Sequence, residues 1–391
     1  MGWLEDLRSR IEITRHKIYL DNAGAGPLSR DVVDAINRFL DIWSREGEPW
    51  DEALDHIVDA RREFGELIGV DYRYVAAVPG VTYGLNSLLS SIKIKPGSNA
   101  VASPLNFPTS IISLQAMRSS GILKEVRLAR PRGGCVAPEE YERIIDDNTS
   151  LVVVDHVSWI TGCRENIREI SEIAHRRGAI VISDAFHSVG VIEVDARKEG
   201  VDALLCGSYK WLMGPHGAGF VYVSRDLLEE LEPRFSGWMA IEDSVISRKA
   251  RGERLFERPF NIEKFEPARD ATKLEWGTWP AIAFEGVLAS IRLLKRFEAP
   301  YRYRSHTSRL IERLVNGLEG LGLRVTTPRE RLAAIVTFEY RDPYSLAEIL
   351  RREKIVVSPR PGIIRVSPHV YNTVDEIESL IDVIKRGAKL H

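Results

Sequence analysis

Apolar residues along this chain follow two alternating rhythms. Unbroken apolar runs at 75–78, 151–155, 179–184, 203–206 and 219–223, with others opening at Asn99 and over 123–128, predict strands of a sheet covered on both faces. Between them, apolar positions recur at helical spacing over 83–92, 109–119 and 166–177, the last closed by Gly178. Strand and helix alternating from 75 to 223 predict a largely parallel α/β sheet. Ahead of it lie a short amphipathic helix at 3–15 and a strand at Ile18 that breaks into a glycine-rich turn. Helices starting near Ser29 and over 51–69 follow. Residues 224–280 are irregular, and long helical patterns cover 284–297 and 301–321. The rhythm then becomes α+β, with strands at 332–339, 354–358 and 362–367 and helices at 344–353 and 373–387. This places a large domain over 16–285 and a smaller α+β domain over 286–391, joined by the N-terminal helix 1–15.

Parallel sheets gather their ligands at the carboxyl ends of their strands. Thr82, Phe107, His156, Asp184, His187 and Lys210 are all predicted to lie at such ends. Lys210 sits in the polar, glycine-rich segment between the last two runs, after Ser208 and Tyr209 and before Gly214, Gly217 and Gly219. Taken alone it is either a solvated loop lysine or an amine nucleophile for a carbonyl cofactor. Pro79-Gly-Val-Thr82 joins a strand to a helix start, which suits an anion because the first turn leaves N–H groups unpaired. A plain turn capped by Thr82 reads equally well. Arg365, flanked by Ile364 and Val366, is either a surface cation or a clamp for a carboxylate.

Composition narrows the field. The chain has 391 residues, 44% hydrophobic and 28% charged, with a formal net charge of −2. Such a balance gives no reason to expect nucleic acid or an anionic membrane as partner. No apolar run approaches membrane-spanning length and the opening residues lack a signal-peptide layout, so a cytoplasmic protein is expected. The three cysteines, Cys135, Cys163 and Cys206, form no C-x-x-C pair and are expected to be small buried hydrophobes, with no disulfide framework and no metal site. The zincin, P-loop and α/β-hydrolase motifs are absent.

Seven motifs occur in one order: Ile18-Tyr-Leu-Asp-Asn-Ala, Gly80-Val-Thr82, His156-Val-Ser-x-x-Thr-Gly162, Asp184-x-x-His187, Ser208-Tyr-Lys-Trp-Leu-x-Gly-Pro215, Glu275-x-Gly-Thr278 and Ile364-Arg-Val-Ser-Pro-His-x-Tyr-Asn-Thr373. Together they resemble the class V aminotransferase family of fold type I enzymes that use pyridoxal 5'-phosphate (PLP). That group includes cysteine desulfurases, kynureninases, cystine lyases and epimerase-like proteins. The resemblance implies a large domain with a mostly parallel, seven-stranded-type sheet flanked by helices, plus the small α+β domain. It implies that Lys210 carries the Schiff base and that Asp184 pairs with the pyridine nitrogen. His187 would reach the phenolic oxygen, and Phe107 would stack on the ring. Gly80, Val81, Thr82 and Ser208 would bind the phosphate, with Thr278 completing it from a second subunit. Arg365 would hold the carboxylate of a small α-amino acid, with Asn22 and Trp159 at the substrate. A homodimer with its active site at the subunit interface follows.

Departures from the family pattern shape the expected reaction. Trp159 replaces a common Asn, Tyr209 replaces the His that desulfurases carry before the lysine, and no Cys occurs in the segment before Arg365. Persulfide transfer needs a thiolate there, so desulfuration is disfavoured. Transamination is the expected reaction. The alternatives are C–S or C–C lysis, epimerisation, and a PLP-binding scaffold without catalysis.

Overall fold

The apolar runs do become a sheet. After the two-residue β1 (Ile18–Tyr19) come β2 (Val75–Val78), β3 (Asn99–Ala102), β4 (Glu125–Leu128), β5 (Thr149–Asp155), β6 (Ile180–Asp184), β7 (Ala203–Gly207) and β8 (Gly219–Val223). The last seven form one sheet in the order β2-β8-β7-β6-β5-β3-β4. Only β8 runs against the others, antiparallel to β2 and β7. The computed structural model describes residues 2–387. Every residue of β2, β3, β5, β7 and β8 is buried, which is why these runs are continuous rather than alternating. Each fully buried Leu, Ile or Val there contributes roughly 1.5–3 kcal/mol relative to exposure.

The helices between strands are Val81–Ser91, Pro108–Ser119 and Ile167–His175, close to their predicted ranges. A further helix, Pro138–Ile144, left no apolar rhythm because four of its seven residues are charged. The expected helix 3–15 is broken: Trp3–Ser9 is α-helical, Ile11 is extended, and Glu12–Arg15 forms a 3-10 turn. Extending the backbone there lets the Ile11 side chain enter the core. Ser29 caps the helix Arg30–Glu46, accepting from the Val32 N–H.

A second core lies beyond residue 300. There β9 (Val336–Glu339), β11 (Ser358–Arg360) and β12 (Ile363–Val366) make an antiparallel sheet in the order β11-β12-β9, and β10 (Ile355–Val356) pairs with β1 in parallel. The single strand expected at 354–358 is thus two, separated at Val357. Leu310, Leu314, Phe338, Leu350, Ile364 and Leu380 pack together there, and Leu20 joins them. The helix Ala281–Arg296 packs on the helices Arg30–Glu46 and Trp50–Leu67, with Phe284, Val287 and Ile291 in the core that faces the large sheet. This helix spans the boundary expected at 285, and residues on both sides of it share that core. Leu7 and Ile11 belong to that same core.

The expectation for the cysteines needs correction. Cys135 and Cys163 form a disulfide, with their Cα atoms 5.6 Å apart. A turn closed by the Arg132 N–H donating to the Cys135 carbonyl (2.8 Å) carries Cys135 over the segment after β5. There the Thr161 hydroxyl donates to the Gly134 carbonyl at 2.7 Å. A spacing of 28 residues gives no sequence cue to this contact. Cys206 alone fits the expectation, being free and buried.

Candidate active site

Asp184 ends β6, Lys210 follows β7, and the helix that begins at Val81 follows β2, so three strand ends open on one place. A cavity of about 200 Å³ lies there, lined among others by Gly80, Thr82, Phe107, Asp184, Phe186 and Lys210. Lys210 is only 6% exposed. Its Nζ donates to His187 Nε2 at 2.8 Å and lies 4.1 Å from the Phe186 ring centroid and 5.4 Å from that of Phe107. Burial lowers its pKa from the usual 10.5 to about 8, against the pull of Asp184. His187 is pushed well below its usual range by burial and by the charges of Lys210 and Arg365, which keeps it a neutral acceptor. The solvated-lysine reading is excluded by this burial.

The backbone fixes where the lysine stands. Gly26 N–H donates to the Tyr209 carbonyl at 2.7 Å, and a Cβ on Gly26 would lie 2.1 Å from the Lys210 carbonyl. Only glycine lets the two segments approach this closely. Gly190 has φ 103° and sits against the Trp211 carbonyl, holding the other side of the same turn.

Asp184 is 4% exposed, and its Oδ1 accepts the Phe186 N–H at 2.9 Å. Burial raises its pKa, while that N–H and Lys210 oppose the rise. At the opposite wall, the first bond of the helix Val81–Ser91 runs from Gly84 N–H to the Gly80 carbonyl. The N–H groups of Val81, Thr82 and Tyr83 therefore have no partner within the helix. An anion at this helix start meets both free donors and the positive end of the dipole.

Not every expected residue reaches the pocket. Ser208 is fully buried, is not among the residues lining the cavity, and donates its hydroxyl to the Pro215 carbonyl. Asn22 is committed on both sides, donating to the Ser367 carbonyl and accepting from Tyr371 Oη, each at 2.8 Å. It ties the end of β1 to the C-terminal segment. Thr82 lines the cavity, with its hydroxyl 2.9 Å from that of Thr109. Thr278 lines a separate cavity that shares Pro79 and Tyr83 with the first. Trp159 packs edge-on against Phe107 and donates its indole N–H to the Asn106 carbonyl at 3.1 Å. Arg365, 2% exposed, donates to the Trp159 carbonyl at 2.9 Å and pairs with Asp21 at 3.2 Å. Its Nε–H is buried without a partner among the described residues.

Two residues here escaped the sequence reading. Asp21, in the opening motif, holds Arg365. Asp155, at the end of β5, is buried in register with Asp184 and accepts the Phe107 N–H at 2.7 Å. An acid at a strand end was its only signal. Among the described residues no cluster of His, Cys, Asp and Glu could hold a metal ion, and no helix is long and apolar enough to cross a membrane.

Comparison with known proteins fits this geometry. The family profile Aminotransferase class-V matches residues 18–380. An "Uncharacterized aminotransferase YcbU" of Bacillus subtilis is 29% identical over 366 residues, 93% of each chain. Among solved structures, an apo cysteine desulfurase from Thermococcus onnurineus superposes with a TM-score of 0.85 at 23% identity, covering 99% of this chain and 98% of that one. A lysine-to-alanine mutant of C-DES, with glycine covalently linked to the PLP cofactor, gives 0.85 at 21% identity over 97% and 98%.

Proposed function

This chain belongs to the class-V aminotransferase family of PLP-dependent enzymes, and from that premise we propose that it transfers the amino group of a small α-amino acid. One observation carries the reading: a buried lysine amine, with a lowered pKa, stands beside a buried aspartate and faces a helix start with free N–H groups. These residues fit PLP group by group. Lys210 would meet the aldehyde, Asp184 the ring nitrogen and the Val81–Tyr83 backbone the phosphate, while Phe107 would cover the ring. When bound, PLP supplies an aldehyde that takes up an amine and a ring that accepts an electron pair from the substrate's α-carbon.

The remaining work falls to side chains of this protein. A pKa near 8 leaves a fraction of Lys210 unprotonated near neutral pH, able to act as a nucleophile and then to take the α-proton from the substrate and return it. The Asp184 carboxylate favours a protonated ring nitrogen. Arg365 receives the α-carboxylate through its Nε–H. Phe186 and Phe107 exclude water from the amine.

The proposed assembly is a homodimer with the site at its interface, Thr278 of each subunit completing the other's phosphate site. Tyr83 and Phe107, which line the cavity, are exposed apolar side chains that a second copy would cover. The proposed location is the cytoplasm, although the Cys135–Cys163 disulfide is unusual for that compartment. Cysteine desulfuration has little support. Two of the three thiols are paired, the third is buried, and β11 and β12 carry none.

A panel of amino acids followed by absorbance separates the outcomes. Conversion of the cofactor to its pyridoxamine form supports transamination. A keto acid with free ammonia or sulfide means a lyase, and solvent deuterium at an inverted α-carbon means an epimerase.

A further inference from the structure

The end of β5 carries a second buried carboxyl that none of these steps uses. Asp155 is 3% exposed and lies opposite Asp184 in the parallel register of β5 and β6, so both side chains project from the same face at the same end of the sheet. Its Oδ2 accepts the Phe107 N–H at 2.7 Å, and its Oδ1 is buried with no partner among the described residues. Two neighbouring carboxyls in a dry site resist ionising together. Asp184 has the Phe186 N–H and Lys210 to hold its charge. The titratable groups that act on Asp155 are Asp184 on β6, Lys210 after β7, Glu165 beyond β5, and Tyr141 on the helix Pro138–Ile144. Of these only Lys210 favours its ionised form, and burial with Asp184 outweighs it, raising Asp155 well above the carboxylate range.

We propose that Asp155 is a positioning residue that works as a neutral acid. Its acceptor oxygen fixes the backbone of Phe107, the ring that covers the cofactor. Its proton leaves Asp184 as the single carboxylate facing the ring nitrogen. An ionised Asp155 would place buried negative charge on an Oδ1 that no donor meets, a cost that protonation removes. One neutral and one charged acid also give the pocket one negative charge to match one cation on the cofactor ring. The inference rests on the reading of Asp184 as partner of that nitrogen.

The test compares Asp155→Asn, which is neutral and keeps an oxygen for the Phe107 N–H, with Asp155→Leu, which is neutral and keeps none. PLP affinity of the cofactor-free protein and the pH midpoint of the bound cofactor's absorption band are read for each. Asp155→Asn is expected to hold affinity within about twofold and leave the midpoint in place, while Asp155→Leu weakens PLP by about tenfold. Infrared spectra of cofactor-free wild type at neutral pH, with labelled aspartate, should show a protonated carboxyl that is absent from Asp155→Asn. This readout stands even if Asp155→Leu does not fold. A missing band, a displaced midpoint in Asp155→Asn, or unchanged affinity in Asp155→Leu each overturns the proposal. Asp184→Asn separates the two readings. If it leaves affinity and midpoint untouched, the assignment of Asp184 fails, whatever the infrared band shows.

Discussion

Two adjacent residues where β5 ends serve two different cavities. Asp155 lies in register with Asp184 and holds the Phe107 N–H, both residues of the Lys210 pocket, while His156 lines a polar cavity of about 310 Å³ with Arg164, Glu165 and Glu199. Both places hold buried groups far from their usual pKa. Burial lowers His156 to about 3 and raises Glu165 and Glu199 to about 7. By that criterion alone either could be the active site. What separates them is what faces the shifted groups. Lys210 faces aromatic rings, a glycine-rich backbone and a helix start with open N–H groups. Around His156 the neighbours are opposite charges, with Arg164 Nε 3.3 Å and Glu199 Oε1 3.5 Å from its Nε2. Burial shifts a pKa in both cavities, but only one offers a reactive amine and a shaped receptor.

The contrast can be broken most sharply by exchange of one residue in each cavity. Lys210→Ala is expected to lower kcat/KM by at least about 10³-fold, whereas Glu199→Gln changes it by less than about twofold. A large loss in Glu199→Gln would place the second cavity in the chemistry.

Stability against pH should show opposite slopes at the two places. A lysine at about 8 when folded and 10.5 when unfolded leaves more protons on the unfolded chain between those values, so stability rises with pH there. Relative to Lys210→Met, cofactor-free wild type should gain about 3 kcal/mol from pH 8 to 10.5, read from denaturation midpoints. Glu165, at about 7 when folded and 4.5 when unfolded, works the other way, and wild type should lose stability relative to Glu165→Gln as pH rises through that window. Parallel slopes would mean that one of the two groups is hydrated.

Smaller effects test the rim. Arg365→Ala should raise the amino-acid KM by about tenfold or more, on the order of 2 kcal/mol, and leave PLP affinity unchanged. Arg164→Ala should do neither. Thr278→Ala should weaken PLP by only a few-fold, about 1 kcal/mol, and an equal loss in an enforced monomer would remove it from the dimer reading.

Much of this was legible in the chain because the sheet is buried on both faces. Runs such as 179–184 can be little else, and a polar residue that ends such a run must lie at the rim where ligands collect. That logic places Asp184 and Lys210 from pattern, and the ordered motifs assign their chemistry. It fails where a side chain chooses between backbone and pocket. Ser208 and Asn22 stand in the right motifs but spend their hydrogen bonds on Pro215, Ser367 and Tyr371. It also fails for pairs made across the fold. Asp155 gains meaning only from its neighbour on β6, and Cys135 only from the turn that carries it to Cys163.

With Arg365 as the proposed carboxylate clamp, its ion pair with Asp21 would make substrate recognition an exchange rather than a capture. A carboxylate arriving at this guanidinium finds one anion already in attendance, so the net gain in attraction is the difference between two similar contacts. The pocket then selects by fit instead of by charge. Inorganic anions gain little from entering it, and an amine without a carboxyl leaves the resident pair undisturbed. Modest affinity combined with indifference to salt is the behaviour that such a pre-paired cation confers.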